Sequence, residues 1–329
     1  MSLSRSAFAP PRWLHSPHAQ SVLSSSPLRA IRARRRLHAI AAAHEPMVLD
    51  VGNGVRLQGV HSLKAGTEPR GLVVLLHGWE GSVDSNYMRL TAARLLESGF
   101  GVFRLNFRDH GDSHHLNEGI FHSNRIDEVV DAVRAIAARW PTRPLFAAGY
   151  SLGGNFALRL ALRAHSHGLP LQRVAAICPL LDPARTMDAM EAGLPIYLRY
   201  FERKWRRSLA RKRDLFPQAH SFADEVLRLR LRALTEWMVL RHTDFATLGD
   251  YFEGYSVAGE RLNDLPIPAD ILMAADDPVI PLREFEQIAG FPNVQVELAA
   301  HGGHCGFIEN AALDGYAERW VAARLSAAL

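Results

Sequence analysis

The stretch GYSLGG at residues 149–154 carries the clearest chemical signal in the sequence. It follows a strand-like apolar run at 144–149 and precedes a helix-like segment at 155–165, so Ser151 would occupy a strand-to-helix turn. A G-x-S-x-G turn of this kind needs glycines around the serine, and it lifts the hydroxyl above the sheet. The pattern predicts a nucleophilic serine. The alternative is a glycine-rich turn whose serine has no chemical role.

A serine hydroxyl attacks a carbonyl group only when a base takes its proton and an acid orients that base. Further along the chain, DDPVIP supplies Asp276 and Asp277 after a buried strand, and HGGHCGF supplies His301 and His304 after the last strand. We predict His304 as the base, because it follows two glycines and precedes the final helix. We predict Asp277 as the acid, because a loop proline follows it four residues later. Asp276 stays open as the alternative acid, and His301 is expected to be a loop histidine near the site.

The oxyanion formed by such an attack needs backbone N–H donors. We expect these donors to be Leu152, at the start of the helix after the serine, and Trp79, in the loop sequence HGWEGS. The Trp79 side chain would line the acyl pocket. His77, Tyr150 and His110 are also expected at the substrate pocket. This chemistry requires no metal and no organic cofactor.

The loop RDHGDSHHLNEGIFH, residues 108–122, contains four histidines and two aspartates that could ligate a metal. Their spacing matches no zinc pattern. We therefore interpret this stretch as a polar loop near the site and predict no metal there.

Apolar runs typical of buried strands alternate with helix-like segments through much of the chain, after a hairpin signal at residues 52–54. This alternation predicts an α/β fold with a mostly parallel central sheet and helices on both faces. Residues 46–181 and 259–329 would form this core. Residues 182–258 are helix-like and would form a helical cap insertion at the carboxyl edge of the sheet. Residues 1–45 are predicted to be an irregular segment packed on the core, because their prolines interrupt regular structure.

The composition is that of a soluble globular protein: 48% of the 329 residues are hydrophobic and 22% are charged. The two cysteines, Cys178 and Cys305, form no CxxC pair and no disulfide framework, which is typical of a reducing compartment. No apolar stretch reaches the roughly 20 residues of a spanning helix, and the first residues lack the apolar core of a signal peptide. We expect a cytoplasmic protein without stable membrane insertion.

Arginine is concentrated in two clusters, RARRRLH (32–38) and RKWRRSLARKR (203–213), in a chain of net charge +4. We interpret both as solvated faces and predict no nucleic-acid partner, because no nucleic-acid-binding motif accompanies them. The alternative is a surface for nucleic acid or for an anionic membrane. The apolar stripe of LRALTEWMVL (231–240) is expected to pack inward, with transient lipid contact as its alternative. The sequence predicts no particular oligomeric state.

Taken together, these motifs resemble the YheT-like branch of the α/β-hydrolases, serine esterases related to the mammalian membrane-anchored abhydrolase lipases. The resemblance includes FAPPRWLHSPHAQSVL, HGWEGS, NFRDHGDS, HSNRIDEV, GYSLGGN, DYFEGYS, AADDP and HGGHCGF. It implies an α/β-hydrolase fold with a helical cap, and it implies Ser151 as nucleophile, Asp277 as acid and His304 as base. The chain departs from the family at residues 109–112, where Asp-His-Gly-Asp replaces a small Gly/Cys-rich turn.

The function that these observations favour is hydrolysis of carboxylic esters through an acyl-enzyme. The expected substrates are short- to medium-chain acyl esters or monoacylglycerol-like lipids. Thioester cleavage and acyl transfer could use the same residues. A non-catalytic binding protein with a hydrolase fold is the alternative from another class.

Overall fold

The computed structural model describes residues 3–141 and 143–329. The strands in these ranges form one nine-stranded sheet in the order β1-β9-β8-β7-β6-β4-β5-β3-β2. The strands are β1 (Ser4–Arg5), β2 (Ala42–Asp50), β3 (Arg56–Lys64), β4 (Leu72–Leu76), β5 (Gly101–Leu105), β6 (Leu145–Tyr150), β7 (Leu171–Ile177), β8 (Ala269–Ala274) and β9 (Val294–Ala299).

Helices connect most of the parallel strands. They are α1 (Pro17–Ser24), α2 (Pro27–Ala39), α3 (Asn86–Glu97), α4 (Ile126–Arg139), α5 (Leu152–Arg163), α6 (Pro183–Ala192), α7 (Pro195–Leu215), α8 (Leu231–His242), α9 (Leu248–Tyr255), α10 (Arg283–Ile288) and α11 (Tyr316–Ser326).

The sheet is parallel except at one edge, where β3 pairs antiparallel with both β2 and β5. The β2–β3 hairpin turns through Gly52, Asn53 and Gly54, whose φ angles of 85°, 52° and 72° are favourable for glycine and asparagine. Strands β4, β5, β6 and β8 are buried along their whole length, because helices cover both faces of the sheet. The predicted α/β fold with a mostly parallel central sheet is confirmed. No helix in the described ranges is both long enough and apolar enough to cross a membrane.

The prediction that residues 1–45 are irregular is wrong for residues 17–24 and 27–39, which are helical. Pro17 and Pro27 occupy the first positions of α1 and α2, where the missing N–H has no intrahelical partner to lose. Ser16 and Ser26 precede them, and each side chain accepts a hydrogen bond from a backbone N–H of the first turn. The prolines therefore mark the starts of two helices. Helix α2 packs against α3 on the core.

Residues 183–255, within the segment predicted as a cap, contain the helices α6 to α9 and no strand. Helix α8 faces inward with Leu231, Leu234 and Met238, which are all buried. Helix α7 includes the arginine-rich sequence 203–213, whose side chains alternate between solvent and the protein interior.

One cation of that arginine-rich sequence points inward and ties the cap to the core. The ammonium of Lys212 lies 2.7 Å from the carboxylate of Asp109, and both side chains are almost fully buried. Lys212 also donates to the backbone carbonyls of His114 and Asn117, and Asp109 accepts a hydrogen bond from the N–H of Phe121. A charged pair with all of these partners is satisfied in the interior, but removal of one member leaves the other unpaired. The loop at 108–122 therefore holds helix α7 in place through the contacts of Lys212.

Replacing Lys212 with Met should lower the free energy of unfolding by about 3–5 kcal/mol, because the Asp109 carboxylate would stay buried without its partner. The measurement is urea-induced unfolding. Adding Asp109→Asn should restore most of the loss, because asparagine is neutral and tolerates the φ of 58° at this position. The control is Arg211→Met, which removes the exposed pair with Asp112 and should cost less than about 1 kcal/mol. An equal loss in the two single variants would contradict this account.

Candidate active site

Ser151 lies at the turn between β6 and α5, with φ 54° and ψ −117°. A Cβ atom added at Gly149 would lie 2.0 Å from the carbonyl oxygen of Gly153, and one added at Gly153 would lie 2.3 Å from that of Leu76. Both contacts are with rigid backbone, so only glycine fits at either position. The strained conformation of Ser151 places its side chain at the carboxyl end of the sheet and at the amino end of α5.

The imidazole of His304 joins the serine to an acid. Its Nε2 lies 2.9 Å from the Oγ of Ser151, and its Nδ1 lies 2.9 Å from the Oδ2 of Asp277. The other oxygen of Asp277 accepts hydrogen bonds from the N–H groups of Val279 and Ile280, at 2.8 and 3.0 Å. This carboxylate is therefore fixed in position, and it holds Nδ1 in the protonated form so that Nε2 can accept the serine proton.

The charge of Asp277 also affects the protonation of His304. Burial alone would lower the pKa of the imidazole, but the carboxylate beside it raises that pKa, and the result is well above the ordinary value. An imidazolium in this place is stabilised. That is the charge state His304 would adopt after taking a proton from Ser151.

The structure separates the two candidate acids. Asp276 accepts a hydrogen bond from the N–H of Gly303 at 2.9 Å. His301 stacks on His15 with 4.0 Å between the ring centroids, and its Nδ1 lies 3.6 Å from Asp276. Asp276 thus fixes the backbone just before His304, and Asp277 alone meets the imidazole.

The loop after β4 carries the backbone N–H of Trp79 beside Ser151. The N–H of Gly78 donates to the hydroxyl of Tyr87 at 2.9 Å, and the N–H of Glu80 donates to Nε2 of His110 at 3.2 Å. The N–H of Trp79, between them, has no hydrogen-bond partner among the described residues. A Cβ added at Gly78 would lie 3.4 Å from the Cβ of Ser151, so the loop passes beside the serine.

A second backbone N–H beside Ser151 lies at the start of α5. The N–H of Leu152 also has no acceptor in the described part of the chain. Two free donors flanking one hydroxyl are the arrangement that binds an oxyanion. Tyr87, which holds the first loop, was not identified from the sequence, because one tyrosine in an amphipathic helix carries no distinguishing pattern.

The prediction that His77 and His110 line the substrate pocket is wrong. His77 is fully buried; it accepts a hydrogen bond from the N–H of Phe107 at Nε2, and its Nδ1 lies 2.8 Å from the carbonyl oxygen of Gly78. His110 lies beneath the same loop, with its Nδ1 2.7 Å from the carbonyl oxygen of Arg108. Burial lowers the pKa of His77 to about 4 and that of His110 well below its ordinary value. Both histidines are therefore neutral, and they support the loop that carries Trp79.

Two cavities meet at Ser151, and Trp79 borders both of them. The first is a narrow apolar cavity of about 80 Å³ beneath the cap helices. The ring of Trp79 stacks on Phe201 of α7 with 5.2 Å between centroids and closes one side of it. Its walls on the cap side include Met187, Met190, Trp205, Leu231, Met238 and Tyr251.

The second cavity is wider, about 540 Å³, and it opens between α7 and the N-terminal helices. Its walls are more polar, with Ser25, Tyr197 and Lys204 among them. Tyr150, predicted at the substrate pocket, borders this second cavity, and its hydroxyl is 2.7 Å from Oγ1 of Thr91 in the core.

The N-terminal segment holds the loop that carries His304. The hydroxyl of Ser21 accepts a hydrogen bond from the N–H of His304 at 2.9 Å. The fully buried side chain of Gln20 donates to the carbonyls of Leu14 and Ile308, and it accepts from the N–H of Ile308. Sequence reasoning missed both residues. The one available signal was a glutamine in the middle of the apolar sequence AQSVL.

Replacing Gln20 with Ala should lower the free energy of unfolding by about 3 kcal/mol, because three buried hydrogen bonds are lost at roughly 1 kcal/mol each. Urea-induced unfolding measures the loss. The matched control is Gln218→Ala, at an exposed glutamine of the cap, where the change should stay within about 0.5 kcal/mol. A Gln20 variant as stable as the control would show that the N-terminal segment does not hold this loop.

Comparison with known proteins agrees with this fold. The family described as the alpha/beta hydrolase fold matches residues 71–311. The chain is 26% identical over 257 residues to YheT of Escherichia coli (strain K12). This alignment covers 77% of this chain and 74% of YheT. It is 24% identical over 254 residues to phospholipase ABHD3 of Bos taurus. That alignment covers 76% of this chain and 61% of the phospholipase. The chain thus spans about three fifths of the length of that phospholipase.

Solved structures show the same fold at lower identity. The esterase Pf2001 of Pyrococcus furiosus superimposes with a TM-score of 0.58 at 16% identity, over 89% of this chain and 92% of that one. The serine hydrolase CCSP0084 of Cycloclasticus zankles gives a TM-score of 0.55 at 18% identity, over 81% of this chain and 93% of that one. The chain belongs to the α/β-hydrolase fold family, and within that family it is similar to the YheT-like branch.

Proposed function

We propose that this hydrolase cleaves carboxylic esters through an acyl-enzyme on Ser151, with His304 as the base and Asp277 as the acid. The observation that carries the proposal is the continuous chain of hydrogen bonds from Ser151 through His304 to Asp277, each 2.9 Å long. It supports nucleophilic catalysis because it provides a proton acceptor and a group that orients that acceptor.

The reaction begins when Nε2 of His304 takes the proton of Ser151 as Oγ attacks the ester carbonyl carbon. The negative charge that develops on the carbonyl oxygen is stabilised by the N–H groups of Trp79 and Leu152, and by the amino end of α5. His304 then gives its proton to the leaving alcohol, and the acyl group stays on Ser151. Water, activated by the same histidine, releases the acid in the second half of the reaction.

Because both cavities reach Ser151, an ester whose carbonyl lies at this serine would place its acyl side in one cavity and its alcohol side in the other. We assign the acyl chain to the narrow cavity, because its walls are apolar and enclosed by the cap. We assign the alcohol to the wider cavity, where Lys204 and several hydroxyl groups can bind polar atoms. Short- to medium-chain acyl esters and monoacylglycerol-like lipids fit this division. A lipid ester is also what the name of the related bovine phospholipase describes.

We assign transient lipid contact to the rim of the wider cavity. Val22, Ile196 and Tyr200 border that cavity, and each is exposed over about half of its surface, at 52%, 58% and 46%. The apolar stripe of α8, by contrast, is buried. A cytoplasmic location and the absence of a nucleic-acid partner stay predictions.

Replacing Ser151 with Ala should lower kcat for p-nitrophenyl esters by at least about 10⁴-fold and should abolish labelling by a fluorophosphonate, because the nucleophile is lost. Asp277→Asn should lower kcat by about 10⁴-fold, because asparagine favours the wrong tautomer of the histidine. Asp276→Asn is the matched control, and its loss should be at least ten times smaller than that of Asp277→Asn, about what a positioning change costs. Full activity in the Ser151 variant would end the assignment.

Replacing Met190 with Phe should shift the preferred acyl chain to shorter lengths, because the larger ring takes space from the narrow cavity. The measurement is kcat/KM for a series of p-nitrophenyl esters from acetate to palmitate. Ile196→Phe, at the rim of the wider cavity, is the control and should leave the chain-length preference unchanged. If Ile196→Phe alone shifted the chain-length preference, the acyl chain would belong to the wider cavity and the alcohol to the narrow one.

A further inference from the structure

The two cysteines of the chain, far apart in sequence, meet at the catalytic histidine. Cys178 follows the end of β7, and Cys305 directly follows His304. The two sulfur atoms and a ring nitrogen of His304 all lie within 4.8 Å of one another. The Sγ of Cys305 is 4.0 Å from Nε2, the atom that also faces Ser151. The mechanism proposed above uses neither thiol.

The backbone holds both thiols in this arrangement. Cys178 and Cys305 have φ angles of 42° and 58°, in the left-handed region that residues other than glycine rarely adopt. The Sγ of Cys178 lies 3.9 Å from the carbonyl oxygen of Gly303, and the Sγ of Cys305 lies 3.7 Å from that of Ile177. Each thiol thus contacts the loop that carries the other. The cluster is part of the fold at the carboxyl ends of the strands.

We propose that Cys178, Cys305 and His304 form a binding site for a soft divalent metal ion of the Zn²⁺ class. Thiolate and imidazole are the ligands that zinc prefers, at about 2.3 Å from sulfur and 2.0–2.1 Å from nitrogen. Tetrahedral coordination at those lengths separates the ligand atoms by about 3.5–3.8 Å. The observed separations of up to 4.8 Å need a contraction of at most about 1.3 Å.

Binding follows from the protonation states of the three ligands. The two thiols release their protons to solvent as two metal–sulfur bonds form. A proton carried by Nε2 of His304 is also released to solvent, and the lone pair of that nitrogen then binds the metal. Cys305 borders the wider cavity, which gives the ion a route to the cluster. The Oγ of Ser151, 2.9 Å from Nε2, or a water molecule can occupy the fourth position. Elsewhere in the described ranges, no other three side chains that can ligate a metal come this close together.

The consequence for catalysis is reversible inhibition. A metal bound to Nε2 removes the lone pair that would accept the proton of Ser151, so the nucleophile is no longer activated. This consequence rests on the proposed function, whereas metal binding itself does not.

Cobalt titration of the reduced full-length protein tests the site without reference to ester hydrolysis. We expect Co²⁺ to produce thiolate-to-cobalt charge-transfer absorption and the visible bands of tetrahedral coordination, and we expect Zn²⁺ to displace it. Cys305→Ala and Cys178→Ser should each lose most of the charge-transfer absorption. The control is His301→Asn, which should keep it. A wild-type spectrum without thiolate ligation would overturn the proposal, and so would an unchanged spectrum in both cysteine variants.

Zinc inhibition tests the consequence. Zn²⁺ should inhibit ester hydrolysis and fluorophosphonate labelling of the wild type, and a chelator should restore both. Loss of a supporting group around a metal already costs 10–100-fold in affinity, so Cys305→Ala should raise the half-inhibiting Zn²⁺ concentration by at least about 100-fold. The activity of this variant without zinc is the reference against which its inhibition is measured. Equal zinc sensitivity in wild type and both cysteine variants would overturn the inhibitory role. If cobalt binds through the thiolates but no ester is cleaved, the site stands and the proposed function fails.

Discussion

The closeness of β6 and α5 at Ser151 is the constraint on which the rest of the site depends. Backbone atoms approach so closely there that neither Gly149 nor Gly153 has room for a side chain. The turn forces Ser151 into a left-handed conformation, and it aligns the amino end of α5 with the serine hydroxyl. Every other functional group is placed relative to this fixed point. Packing of the strand and helix must therefore compensate for the strain at one residue.

The remaining groups come from loops, and each loop is held by hydrogen bonds from another part of the chain. Tyr87 and neutral His110 hold the oxyanion loop on either side of Trp79. Asp276 and Ser21 hold the backbone around His304. Loops are intrinsically more mobile than strands, so a precise site requires these second contacts. The residues that position the site are as numerous as those that would perform the chemistry.

Much of this arrangement could be predicted from the sequence. The strands and helices of the core have strong periodic patterns, and the glycines around Ser151 have a direct steric cause. The proposed acid and base follow from the order of residues after later strands, and the geometry favours Asp277 over Asp276. The sequence misled where local signals have two meanings. Prolines that we interpreted as breaks in regular structure start α1 and α2. His77 and His110 are buried beneath the loop that carries Trp79 and do not line a pocket. Whether a proline starts a helix, or a histidine is buried, depends on tertiary packing. A short stretch of sequence does not determine that packing.

The N-terminal segment has a consequence for how the protein comes to be active. Strand β1 pairs with β9, and Ser21 and Gln20 bond residues near the opposite end of the chain, at His304 and Ile308. These partners are separated by more than 280 residues. A ribosome synthesises the N-terminal segment first, but that segment can dock only after the last strand has emerged. Long-range contacts of this kind form late and slowly. We therefore expect His304, the proposed base, to be seated late in folding, and we expect an incomplete chain to carry Ser151 without that base.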